Sequence, residues 1–100
     1  MSYEIEWTAP ALRELRKLDK PIARRVLTAV TKLGVDPRPP GVRALTGQPS
    51  GTLWLPIGDY RLVYLVQDDL ILVTVVRIAH RREAYPRIAT PRLNYTNRFR

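Results

Sequence analysis

The sequence predicts one α+β domain: an N-terminal strand, an α-helical hairpin, and a three-stranded antiparallel meander that completes a single sheet. Three observations predict it. Residues 3–7 alternate in polarity, residues 8–34 carry two capped stretches of helical periodicity, and residues 52–78 are rich in β-branched and aromatic side chains cut by two turn signals. A chain of 100 residues supplies one modest core and no second one.

In the first strand Tyr3, Ile5 and Trp7 share one face and Glu4 and Glu6 the other, the pattern of a half-exposed strand. Thr8 then offers an N-cap, and Pro10 falls in the first helical turn, where its missing N–H has no intrahelical partner to lose. Ala11, Leu12, Leu15 and Leu18 form the apolar stripe of this helix, while Arg13, Glu14, Arg16 and Lys17 face outward. Asp19 caps a second helix with Pro21 in its first turn. Ile22, Val26, Ala29, Val30 and Leu33 follow the three–four spacing, and Gly34 closes it. So short a break between two helices predicts a hairpin.

Pro37, Pro39, Pro40 and Pro49, with Gly41, Gly47 and Gly51, make residues 35–51 a loop, pinned to the core by Val42, Ala44 and Leu45. Strands are expected over 52–57, 60–66 and 70–78, turning at Gly58-Asp59 and Gln67-Asp68-Asp69. Pro56 lacks a ladder donor, so its strand should lie at an edge or carry a bulge there. After Pro86, scattered Arg92, Arg98 and Arg100 show no periodicity. The domain is therefore expected to span residues 1–87, and residues 88–100 to form a mobile tail.

Composition excludes several functions. Without cysteine there is no disulfide, thiolate nucleophile or cysteine zinc site, and the one histidine, His80, cannot found a His-rich metal centre. The acidic, alternating start Met1-Ser2-Tyr3-Glu4-Ile5-Glu6 does not read as a signal peptide. Asp59, Arg61, residues 67–69 and Arg77 interrupt every apolar stretch short of a membrane span, so the expected compartment is the cytoplasm. The net charge of +8 calls for a polyanionic or acidic partner. Lysine occurs only at 17, 20 and 32, and the arginine that dominates suits bidentate phosphate contacts.

Two segments carry candidate chemistry. Arg61, spaced by two from Val63 and Leu65, is either a strand-end arginine paired with Asp59 or Asp69, or a phosphate clamp at the rim of the sheet. The run Arg77-Ile78-Ala79-His80-Arg81-Arg82-Glu83-Ala84-Tyr85 is either a solvated charge run closing the sheet or a site. His80 is a candidate proton acceptor, because a neutral imidazole carries an acceptor nitrogen. In a ribonuclease, Arg61 and Arg81 would hold the scissile phosphate and stabilise its growing charge. His80 or Tyr85 would take the proton of the ribose 2′-OH, and Tyr85 or Trp54 would stack on a base, with no metal required. Arg61, His80, Arg81 and Tyr85 should then converge at one rim of the sheet. Arg16, Lys17, Arg24, Arg25, Arg77 and Arg82 are expected to add phosphate contacts that give affinity without reading sequence.

The stretch Gly58-Asp59-Tyr60-Arg61-Leu62-Val63-Tyr64, followed by an acidic turn, an apolar strand and the run 77–85, resembles the RelE-type toxins of the RelE/ParE superfamily. Leu15-Arg16-Lys17-Leu18 and Leu45-Thr46-Gly47 fit the same layout, and the resemblance covers residues 1–87. It implies the RelE-like fold and a ribosome-dependent endoribonuclease that cuts mRNA by metal-independent 2′-OH attack without a cofactor. It also implies a monomeric toxin, assembled further only by a RelB-like antitoxin laid over the hairpin and sheet. The family's catalytic arginines fall on Arg61 and Arg81 and its C-terminal tyrosine on Tyr85, while His80 takes a position that is basic in relatives. The chain departs from the family at Thr52-Leu53-Trp54-Leu55-Pro56-Ile57, which has none of the lysines that relatives carry there. That uncharged strand fits a ParE-like toxin that binds DNA gyrase without chemistry; the retained Arg61, His80, Arg81 and Tyr85 fit the nuclease. For a non-catalytic nucleic-acid-binding module the positive charge alone would suffice.

Overall fold

The computed structural model describes residues 2–82. In these the chain forms β1 (Glu4–Trp7), α1 (Ala9–Lys17), α2 (Lys20–Leu33), β2 (Arg43–Ala44), β3 (Thr52–Ile57), β4 (Tyr60–Gln67) and β5 (Leu72–His80). One sheet runs in the order β1-β5-β4-β3-β2. The β3–β4–β5 meander is antiparallel as expected, and β1 joins it as the edge strand parallel to β5. No helix among the described residues is long and apolar enough to cross a membrane. The expected boundary at residue 87 and the tail 88–100 lie outside the described residues.

The helices cover one face of the sheet. Ala11 of α1 and Val26, Val30 and Leu33 of α2 are buried against Leu62, Tyr64 and Val66 of β4 and Val73, Val75 and Ile78 of β5. Each buried valine, leucine or isoleucine among them contributes about 1.5–3 kcal/mol relative to remaining in water. Thr8 joins helix to sheet: its Oγ1 accepts the N–H of Ala11 (3.2 Å) and donates to the carbonyl of Val76 (2.8 Å). Gly34 closes α2 in an ordinary right-handed conformation (φ −64°). Its place there is a close approach, since a Cβ would lie 3.3 Å from the Tyr3 carbonyl oxygen, tighter than an ordinary contact. The buried Tyr64 hydroxyl donates to the Pro37 carbonyl at 2.7 Å, which fixes the loop after α2, and burial pushes its ionisation far above the ordinary phenol range.

Three details differ from the expectation. The loop 35–51 contains β2, which pairs with Trp54 and Leu53 and is too short to leave a periodic signal. Val42 and Leu45 do pack against the core, but Ala44 is exposed and pins nothing. The third meander strand starts at Leu72 rather than residue 70, because Asp68–Leu70 form a 3₁₀ turn that leaves Ile71 in the left-handed region (φ 51°). Pro56 sits beyond the reach of β2, where β3 has no outer neighbour among the described residues, so its missing N–H breaks no ladder bond among them on that side.

The same turn is held by Asp68. It accepts the Tyr3 hydroxyl (2.7 Å) and both Nη atoms of Arg38 (3.2 and 2.8 Å), joining the start of β1, the loop after α2 and the β4–β5 turn. Arg38 and then Tyr3 hold the Asp68 carboxyl below the usual carboxylate range. A depressed folded value adds stability that is complete above the ordinary carboxylate range and fades as pH falls through the depressed one. Asp68→Asn is therefore expected to lower the urea midpoint at pH 7, and the gap to the parent should close below about pH 4. A gap that persists in acid would contradict this role. At the neighbouring position, Ile71→Asn relieves a β-branched residue held at positive φ and is expected to stabilise the fold by about 1 kcal/mol, read as a higher urea midpoint.

Candidate functional site

The pleat of β4 sorts its side chains. Tyr60, Leu62, Tyr64 and Val66 face the helices, whereas Arg61, Val63 and Leu65 point to the other face, where Val63, Val76 and Ala79 form a small second cluster with Leu45, Trp54 and Leu65. Arg61 lies opposite Pro56 on β3 and Ala79 on β5. Its guanidinium sits over the Trp54 ring, 4.4 Å from the centroid. Arg43 of β2, directly opposite Trp54, brings a second guanidinium to 5.7 Å from the same centroid. Both distances are within the range of cation–π attraction.

Arg81 joins this face. Its N–H donates to the Asp59 carbonyl at 2.7 Å, which continues the β4–β5 ladder one pair beyond the assigned strands. By the same alternation Arg81 follows Ala79 onto the side of Arg61, as its diagonal neighbour. Asp59 stands 3.9 Å from the Arg81 guanidinium; both side chains are about two-thirds exposed, so the pair is weak.

His80 does not join them. It lies opposite Tyr60, and the two rings meet edge to face (centroids 5.2 Å apart) on the helical side of the sheet. There it lines a cleft with Glu14, Lys17 and Leu18 of α1. The expected convergence of Arg61 with His80 is thus corrected, because consecutive residues of a continuing strand face opposite sides. His80 Nδ1 accepts the Arg82 N–H at 3.2 Å, so in the neutral ring the proton resides on Nε2. Tyr85 lies outside the described residues.

The residues expected to bind RNA fall on several surfaces. Trp54 lies half-buried on the face that no helix among the described residues covers, open in that sense only, since Val63, Val76 and Ala79 on it are buried. Arg16 and Lys17 are exposed in the last turn of α1, and Arg82 is exposed after β5. Arg24 and Arg25 border a groove between α2 and β3, with Lys32 beside them and Ala29, Leu55 and Ile57 on its floor. Arg77 is held by Glu14, which accepts Nε of Arg77 and the backbone N–H of Ile78, both at 2.7 Å. Glu14 thereby satisfies β5 where β1 has ended. Arg43 was not among the candidates, since it lies in a segment whose prolines and glycines conceal two residues of strand.

The model of the ParE toxin of the type II toxin–antitoxin system parDE matches residues 5–85. The chain belongs to the RelE/ParE superfamily of toxins. Toxin RelG of Mycobacterium tuberculosis is 33% identical over 92 residues, covering 87% of this chain and 100% of the relative. Among solved structures, a chain of the toxin–antitoxin complex RelBE2 from Mycobacterium tuberculosis aligns at a TM-score of 0.70 and 28% identity, over 80% of this chain and 99% of its own. A chain of the intact RelBE toxin–antitoxin complex of Escherichia coli aligns at 0.69 and 26%, over 79% and 96%. The toxin keeps the RelE-like architecture, with its open-face charge supplied by arginines around Trp54 rather than from β3 itself.

Glu14 anchors the strand that carries Arg81, and its removal leaves an N–H and a guanidinium without that acceptor. Glu14→Ala is expected to destabilise the toxin by about 2 kcal/mol in urea unfolding. Glu14→Gln, which keeps an acceptor for Ile78, should cost less.

Proposed function

We propose that the toxin is a ribosome-dependent endoribonuclease cleaving mRNA by attack of a ribose 2′-OH on the adjoining phosphate. The observation that supports it most is the shared face of Arg61 and Arg81, the two residues that the RelE resemblance assigns to phosphate. In the reaction a base removes the 2′-OH proton, the 2′ oxygen bonds to phosphorus, and the bond to the 5′ oxygen breaks. That oxygen takes up a proton as the new 5′-OH. The guanidiniums of Arg61 and Arg81 neutralise the charge that builds on the phosphoryl oxygens. The base is assigned to Tyr85, because His80 faces α1 and already uses Nδ1 as an acceptor.

The antitoxin is proposed to be RelB-like, as in the RelBE complexes to which this fold is similar. The groove between α2 and β3 suits an acidic, amphipathic segment: apolar Ala29, Leu55 and Ile57 lie between Arg24, Arg25 and Lys32. Arg16, Lys17 and Arg82 are assigned to ribosomal RNA, and ribosome binding should weaken steeply with salt.

A second reading is a ParE-like toxin that acts on DNA gyrase without chemistry, favoured by the family model that matches and by the uncharged β3. In vitro translation with primer extension separates the two. The nuclease gives codon-positioned cuts, lowered about 10²–10³-fold by Arg61→Ala or Arg81→Ala. Tyr85→Phe should lower them about 10²–10⁴-fold, while His80→Gln leaves them within a few-fold. Intact transcripts together with stabilised gyrase–DNA cleavage complexes would sink the nuclease.

A further inference from the structure

We propose that Arg43 is a phosphate-binding residue and that Trp54 is the mount of a two-arginine clamp, holding Arg43 and Arg61 for neighbouring phosphates of single-stranded RNA rather than stacking on a base. The proposal rests on the RNA-facing reading of the open sheet face but not on the cleavage step.

The strand order creates the arrangement. β3 lies between β2 and β4, so Trp54 receives one arginine from each side: Arg43 directly across on β2, and Arg61 diagonally on β4 beside Val63. Both guanidiniums lie within cation–π distance of the one indole. A base that stacked on this ring would have to compete with them. Resting on an aromatic face, the exposed Arg43 guanidinium can still turn in-plane N–H groups to an anion, and holding it there beforehand reduces the freedom lost when phosphate binds.

The local chain is built to place Arg43. Gly41 (φ 91°) and Gly47 (φ 78°) flank β2 in left-handed conformations, which turn the chain into and out of a strand of only two residues. Arg43 itself is exposed. An uncharged β3 is thus compatible with a basic open face, because the charge enters from the strands on either side. Trp54 is accordingly a positioning residue, and Arg43 touches the ligand.

The test uses the full-length toxin and a labelled single-stranded oligoribonucleotide made uncleavable by 2′-O-methylation. Arg43→Ala, a change at an exposed side chain, is expected to weaken binding about tenfold and to reduce the salt slope by about 0.7, the loss of one single-strand phosphate contact. Trp54→Phe should retain most of the affinity, since a ring face remains. Trp54→Leu, checked for folding by circular dichroism, should lose it, and in that background Arg43→Ala should cost less than in the parent. Tryptophan emission should be largely unchanged by the oligonucleotide. Unaltered affinity and salt slope in Arg43→Ala would overturn the clamp, as would strong RNA quenching that vanishes in Trp54→Phe and so reports a base on the ring. Arg43-dependent binding without any cleavage of ribosomal mRNA would sink the nuclease and leave the clamp. Cleavage that needs Arg61 and Arg81, with binding indifferent to Arg43, would do the reverse.

Discussion

Gly58 takes φ 59° at the first position of the two-residue β3–β4 turn, and that conformation fixes the register of the meander. Side chains alternate with a period of two, so a one-residue slip would bring Arg61 and Val63 under the helices and expel Leu62 and Tyr64. Burial of Leu62 and Tyr64 against α1 and α2 therefore does more than stabilise the fold. It holds Arg61 on the open face. The apolar half of β4 is what positions its polar half, and the core and the candidate site are two sides of one constraint.

A bulge extends this constraint to β5. Tyr64 pairs with Val75 but Val63 pairs with Arg77, so Val76 is an extra residue. Strict alternation from Val73 and Val75 would carry residues 77, 79 and 81 to the helical side. The extra residue reverses that order, so Ile78 and His80 face the helices and Ala79 and Arg81 face away. The bulge is fastened from outside: Thr8 binds the Val76 carbonyl, and Glu14 binds Arg77 and the N–H of Ile78. Bulges commonly re-aim side chains near functional sites. This one decides which of His80 and Arg81 shares a face with Arg61.

The helices, the meander and its turns were legible because each has a signal spread over many residues: three–four spacing in α2, β-branched runs in β4 and β5, and Gly58-Asp59 between strands. What escaped has a local or a nonlocal cause. β2 is two residues long, below the reach of any periodicity, and Arg43 was hidden with it. Asp68 of the 3₁₀ turn meets Tyr3 and Arg38, residues distant in sequence, so these contacts leave no local signal. Alternation alone separates His80 from Arg81, but the bulge is held by Thr8 and Glu14 docking on β5, so nothing within residues 72–82 reveals which of the two shares the face of Arg61. Arg61 and Arg81 were recognisable by residue type and family pattern, whereas their separation from His80 needed the register.

Arginine also shapes the chemistry available on the open face. A guanidinium keeps its proton at any physiological pH, so it can hold a phosphate and offset added negative charge but is a poor proton donor. In the proposed nuclease, a site built from Arg43, Arg61 and Arg81 would be strong in electrostatics and would obtain proton transfer from another kind of group. Lysines on β3 would have blurred that division, because an ammonium supplies charge and, when its environment lowers its proton affinity, acid–base chemistry as well. Where the RelE resemblance implies strand lysines, this chain has an indole with cross-strand arginines, which carry charge without that second capacity. In the proposed nuclease the proton transfer then falls on a group other than these arginines, the role proposed for Tyr85.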